Sequence, residues 1–411
     1  MTAHPKGKQD APPRTSKGKD RIRPRRQAIL LLAHGSPDRV EEIPEYLRNI
    51  TGGRALPEEV VREVEHRYSL IGRSPLTEIT LRQAEAVARA SGLPVYVGMR
   101  NWRPYIRDTV RKMAEDGITH AVVICLAPHN SRTSVGLYRR ALAAAAGEAM
   151  APASQAGAGG AEAALPFTID FVESWHDHPL LIEAFAERLR QGWTRACAEA
   201  GCPLPVIFTA HSVPLRTITP TPADAKLVPP SGTGDPAEGD PYERQARATA
   251  ALVAAAVPEI FAPADGGWRF AFQSQGMSGG EWLGPAVEDT ILALKQAGHT
   301  GIFVQPIGFV CDHVEILYDI DIAFRQFADQ QGMRLWRAES LNDSSTFARA
   351  VAAVAAARLS ITADEKANYP HLPTEGKCGA RADTKTTSLH SAKEGKCGAS
   401  SDAGDSGAGR R

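Results

Sequence analysis

The chain has 411 residues, and its 47 Lys and Arg balance 47 Asp and Glu, so the formal net charge is zero. That balance argues against a wholly basic nucleic-acid binder, and no apolar run approaches the roughly 20 residues that cross a bilayer. Hydrophobic residues at 43% and charged residues at 23% suit an ordinary globular protein and exclude collagen and coiled coil.

In chain order, residues 1–27 carry nine Lys or Arg, two Asp and four Pro without apolar periodicity. They read as a disordered basic arm that lacks the apolar centre of a secretory signal. Residues 28–33 form a short apolar strand. Helical spacing follows over 74–90 and 105–116, and a second apolar strand over 121–127. Residues 141–164 are an Ala/Gly run and read as an insertion after a helix. A helix is expected over 178–200, a strand from Val206, a Pro/Gly/Asp-rich insertion over 219–240, and a strand from Gly301.

The six cysteines (125, 197, 202, 311, 378 and 397) are too few for a disulfide scaffold and point to a reducing, cytoplasmic setting. Cys125 lies in an apolar run and reads as a small buried hydrophobe. The segment 363–411 is poor in large apolar residues. It repeats His371…Cys378 as His390…Cys397, 19 positions on. Such residues could hold a soft metal or a 2Fe–2S cluster, but the spacing matches no compact metal motif. A duplicated low-complexity tail is the plainer interpretation.

The core duplicates itself. AILLLAHGSP (28–37) and VIFTAHSVP (206–214) share one grammar, an apolar strand ending in His, a small residue and Pro. AVVICLAPH (121–129) and GIFVQPIGFVCDH (301–313) form a second pair. The first pair is offset by 177 positions and the second by 184. Apolar strands alternating with helices predict βαβ units and a parallel sheet covered on both faces. The expected fold is α/β: two Rossmann-like, doubly wound halves, residues 28–175 and 176–362, related by pseudo-two-fold symmetry with a cleft between them.

Ligands in such sheets bind beyond the carboxyl ends of the strands. His34, His129, His211 and His313 all stand just past such ends. Taken as extended chain, Asp312-His313-Val314-Glu315 would turn His313 and Glu315 to one side. His with a carboxylate suits a divalent ion of intermediate hardness such as Fe(II), and the same pair can accept protons. A salt-bridged loop would look the same in this segment alone. No Walker, dinucleotide or nucleophile-elbow motif occurs.

The core from 28 to 360 resembles the ferrochelatase family. The resemblance is carried by LLLAHGSP (30–37), RYSLIGRSPLTEIT (67–80), GMRNWRPYI (98–106), LAPHNSRTSVGLYRRAL (126–142), TAHSVP (209–214), GDPYERQ (239–245), FQSQGMSGGEWLGP (272–285) and PIGFVCDHVEILYDID (306–321). It implies a lyase of haem biosynthesis that inserts Fe2+, as substrate, into a porphyrin and uses no organic cofactor. It also implies transient contact with neighbouring haem-pathway enzymes. By position, His211 and Glu315 match the family's metal and proton-accepting pair. Arg67, Tyr68, Ser74 and Tyr138 match residues that hold propionates or the macrocycle edge. His34 stands where some members have an axial tyrosine, and Trp282 matches an aromatic bordering the ring. The A-P-H-x-S form at 127–131 favours coproporphyrin III over protoporphyrin IX. Two other functions fit parts of the pattern: a sirohydrochlorin cobalt or iron chelatase, and a non-catalytic haem or metal carrier. Trp282 and Glu315 speak against the former.

Overall fold

The computed structural model describes residues 26–150, 167–218, 239–261, 267–275 and 280–359. Most of the basic arm, most of both insertions, and the tail with His371, Cys378, His390 and Cys397 lie outside the described residues.

Runs of Val, Ile, Leu and Phe form two four-stranded parallel sheets. The first contains β1 (Gln27–Ala33), β2 (Val95–Met99), β3 (His120–Cys125) and β4 (Thr168–Val172), in the order β2-β1-β3-β4. The second contains β5 (Val206–His211), β6 (Arg269–Gln273), β7 (Gly301–Pro306) and β8 (Arg334–Arg337), in the order β6-β5-β7-β8. One strand order is thus built twice, as the internal duplication predicts.

Helices cover these sheets. The first half carries α1 (Ile43–Ile50), α2 (Glu58–Ile71), α3 (Leu76–Ser91), α4 (Ile106–Glu115) and α5 (Val135–Met150). The second carries α6 (Pro179–Ala200), α7 (Leu215–Ile218), α8 (Tyr242–Ala256), α9 (Val287–Gln296), α10 (Val314–Leu317), α11 (Arg325–Gln330) and α12 (Ser345–Ala356). A π-helical stretch, Asp319–Phe324, joins α10 to α11. Helix α3 stops at Gly92, whose φ of +70° a side chain would resist.

Alternation along β1 divides the core. Ile29, Leu31 and Ala33 join a cluster that includes Val87 of α3, Val351 of α12 and Phe208 of β5. Ala28, Leu30 and Leu32 pack on Val110 and Met113 of α4 and Leu142 of α5. Ile207, Ile302 and Val304 meet Ile291 and Phe324 on the outer face of the second sheet. The two halves therefore share one apolar cluster and keep one flanking layer each.

Three expectations change. The insertion after α5 starts later than composition suggests, because Ala141–Met150 continues that helix; alanine is the best helix former. The strand from Gly301, where the strands read from the sequence end, is followed by another, since β8 pairs along β7. Glu315 lies in the first turn of α10, so the Asp312–Glu315 segment is extended only as far as His313 (φ −161°, ψ −174°).

Candidate functional site

The parallel register aligns the strand ends of the second half. His211, the last residue of β5, stands opposite Gln273 of β6. Gln273 Nε2 donates to the Glu315 carbonyl at 2.7 Å. Tyr242, at the start of α8, donates its hydroxyl to the His211 carbonyl at 2.8 Å. The chain leaving β7 passes close to β5: a Cβ at Gly308 would stand 2.8 Å from Ala210 Cα. Main-chain contacts thus fix both His211 and Glu315 before their side chains act.

The side chains then converge. His211 Nε2 lies 3.4 Å from Glu315 Oε1, and His313 Nε2 lies 3.2 Å from Glu315 Oε2. His211 Nδ1 donates to the Ser212 carbonyl, which fixes the tautomer and turns Nε2 toward the carboxylate. Burial opposes charge on His211, yet the Glu315 carboxylate prevails and raises its pKa. Burial likewise pushes the Glu315 carboxyl up, but the His211 and His313 imidazoles hold it well below the ordinary value. One turn on, burial raises Asp319 to about 6, against a hydrogen bond from Ser274.

His211, His313 and Glu315 open on a cavity of about 370 Å³ lined from both halves, within the usual size of small-molecule sites. His34, Tyr68 and Tyr138 line it from the first half; His211, Trp282, His313 and Glu315 line it from the second. About a third of the His211 and Glu315 side-chain surfaces remains open, 33% and 35%.

Two expected residues lie outside this lining. Arg67 pairs with Glu63 at 2.8 Å, and its guanidinium stands 5.0 Å from the Tyr318 ring centre. Ser74 is buried, and its hydroxyl has no hydrogen-bond partner. The strand-end His129 does line the cavity. However, Thr249 Oγ1 gives its own proton to a carbonyl, so His129 Nε2 donates to it at 2.9 Å. Burial lowers the His129 pKa to about 3, leaving a neutral, satisfied core histidine.

His34 Nδ1 contacts the Gly35 carbonyl at 3.2 Å and the Tyr46 hydroxyl at 3.1 Å, and its Nε2 meets Asn101 Nδ2 at 2.9 Å. Both ring nitrogens thus have hydrogen-bond partners within the first half. Burial and the adjacent Arg100 lower its pKa to about 4.

Individual roles for Tyr46, Arg100, Asn101 and Tyr242 were not legible in the sequence. Arg100 and Asn101 fall within GMRNWRPYI and Tyr242 within GDPYERQ, so the motifs marked the right segments. For Tyr46 the local pattern offers only a buried helical position.

Two duplicated α/β halves with an imidazole–carboxylate pair on the wall of their shared cavity define a two-lobed, metal-handling enzyme. Comparison with known proteins makes this specific. The family model described as Ferrochelatase matches residues 26–359. A ferrochelatase of Acidobacterium capsulatum is 54% identical over 80% of this chain and 94% of the relative. One of Deinococcus radiodurans is 36% identical over 79% and 94%. A protein of Geobacillus named coproporphyrin III ferrochelatase is 32% identical over 82% and 99%. A solved Deinococcus radiodurans structure, described as similar to chelatases, aligns with a TM-score of 0.41 and 13% identity over 80% of this chain and 55% of that one. The chain belongs to the ferrochelatase family. It is a porphyrin metal chelatase, a lyase of haem biosynthesis whose substrates are a porphyrin and ferrous iron.

Proposed function

We propose that this ferrochelatase acts on coproporphyrin III in preference to protoporphyrin IX, with His211 and Glu315 receiving iron and pyrrole protons at the ring centre. The convergence of these two side chains at 3.4 Å on one cavity wall carries the proposal. A free-base porphyrin must lose two N–H protons as Fe(II) enters, so proton acceptors must face its centre. His211 takes one of the two protons on Nε2, once iron has left that nitrogen for the ring, while Nδ1–H stays on the Ser212 carbonyl, and the second proton leaves to solvent through the open side of the pair. Glu315 stabilises the imidazolium that results. An imidazole and one carboxylate, with water, bind Fe(II) loosely enough to hand it on, unlike a closed four-ligand cage. Organic cofactors have no part in this chemistry.

Trp282, Tyr68 and Tyr138 border the macrocycle. The unpartnered Ser74 hydroxyl and Arg67 suit carboxylates extending past the lining. The coproporphyrin preference draws support from the A-P-H-x-S form at 127–131 and from the Geobacillus relative's name. The four free thiols among the described residues, Cys125, Cys197, Cys202 and Cys311, suit a cytoplasmic setting. No helix among the described residues is long and apolar enough to cross a membrane.

The test is Fe(II) insertion with both porphyrins side by side, in wild type and His211→Ala. A higher kcat/KM with coproporphyrin III, and a variant that binds either porphyrin but does not metallate it, are expected. Equal or reversed preference would refute the substrate assignment. Metallation by the variant would remove His211 from its role.

A further inference from the structure

We propose that Asn101 is a positioning residue that ties back the His34 imidazole, so that His34 walls one face of the bound ring without ligating the iron of the metallated product. The inference rests on the ring occupying the cavity between His34 and the His211/Glu315 pair. Both sides line that cavity, and His34 feels the charge of Glu315 and of His313 across it.

Hydrogen-bond chemistry assigns the tautomer. The Gly35 carbonyl can only accept, which places the proton of His34 on Nδ1, and the Tyr46 hydroxyl at 3.1 Å then accepts a share of it. Nε2 then carries the lone pair, the only atom of this ring that could bind a metal. Asn101 Nδ2 points at it from 2.9 Å and donates into it. With Nδ1 protonated, the amide must present its NH2 here, since its oxygen would oppose a second lone pair.

The tie is built into the fold. The Asn101 backbone N–H donates to the His34 carbonyl at 3.0 Å, and the Asn101 carbonyl accepts from Asn49 Nδ2 at 3.2 Å. Asn101 is 4% exposed. Gly35, at φ +84°, lets the chain turn against Trp102; a Cβ there would stand 2.8 Å from Trp102 Cβ. Tyr46 closes the other side, its ring edge-on to the imidazole with centroids 6.1 Å apart. Rotating Nε2 toward the ring centre would break the Asn101 bond and the Nδ1 contacts together. A free imidazole at this place would hold the metallated ring and slow its departure, whereas a tied one contributes shape alone.

The test compares the Soret spectra and dissociation rates of iron coproporphyrin III and haem bound to wild type, His34→Ala, Asn101→Leu and the double variant. Wild type and His34→Ala should give the same spectrum. Asn101→Leu should show a new imidazole-ligated band and release the ring roughly tenfold more slowly, the scale of one buried hydrogen bond redirected to a ligand. The double variant should return to the wild-type spectrum. Asn101→Asp, whose carboxylate demands a proton on Nε2, should also resemble wild type. A spectrum that changes on His34→Ala alone would overturn the inference, whether or not the leucine variant folds. A folded Asn101→Leu identical to wild type would do the same. If neither iron porphyrin binds wild type, the placement of the ring in the cleft fails, and this inference fails with it.

Discussion

At the residue scale, the proposed chemistry turns on how Glu315 is shared. One oxygen faces His211 and the other His313, so removing its charge should be felt at both imidazoles. His211 must be neutral to take a pyrrole proton, and its pKa lies above the ordinary 6.5. Insertion at limiting iron should therefore rise as pH climbs through that raised value, and Glu315→Gln should move the rise to lower pH; a pH series of kcat/KM checks this. Tyr242→Phe leaves the part-buried His211 carbonyl without the Tyr242 donor. It should cost about 1–3 kcal/mol of stability in denaturant melts and lower insertion more than porphyrin affinity. Short motifs in the sequence marked His211 and Glu315, which the fold brings to 3.4 Å of each other. The sequence could not disclose Asn101 or Tyr46, whose importance lies in what they touch across the fold.

At the element scale, the four strands legible in the sequence, β1, β3, β5 and β7, are the central ones of the two sheets. Central strands are covered on both faces and so become continuous apolar runs. The outer strands β2, β4 and β8 each hold two or more partly or fully exposed residues, where a central strand holds at most one, and β6 opens on the exposed Arg269, which breaks the run that would announce them. The Glu315 turn was hidden for another reason. Four residues of α10 are too few for helical periodicity. What places Glu315 is the tight crossing of Gly308 on Ala210. Gly308→Ala should overpack that crossing, lowering stability by about 1–3 kcal/mol. Iron insertion should fall further than porphyrin binding, as paired melting and activity measurements would reveal.

At the scale of the whole molecule, the two halves hold each other where the cavity forms. Asn130 N–H donates to Gln245 Oε1 at 2.6 Å, and Arg132 N–H to Asp240 Oδ2 at 2.8 Å. Gln83 Nε2 reaches the Asn342 carbonyl at 2.9 Å. With one apolar cluster spanning both sheets, residues 26–359 should unfold in one cooperative transition. His129 is buried and neutral within this junction, its pKa lowered to about 3. The unfolded chain binds a proton there near pH 6.5 and the folded chain does not, so this site removes stability as pH falls from about 6.5 toward about 3. Melting temperature should decline less steeply across that window in His129→Gln than in wild type. The duplication in sequence announced the paired sheets. The contacts that join them were not announced, since they connect residues more than a hundred positions apart.

In the proposed mechanism an imidazole from β5 and a carboxylate from α10 act together on a ring held between the halves. Its most direct test is single-turnover Fe(II) insertion by Glu315→Gln already saturated with coproporphyrin III, with ring binding followed by fluorescence in the same sample. Unchanged porphyrin binding with insertion slowed about a hundredfold or more is predicted, the scale of a lost proton-transfer group; insertion at the wild-type rate would contradict it.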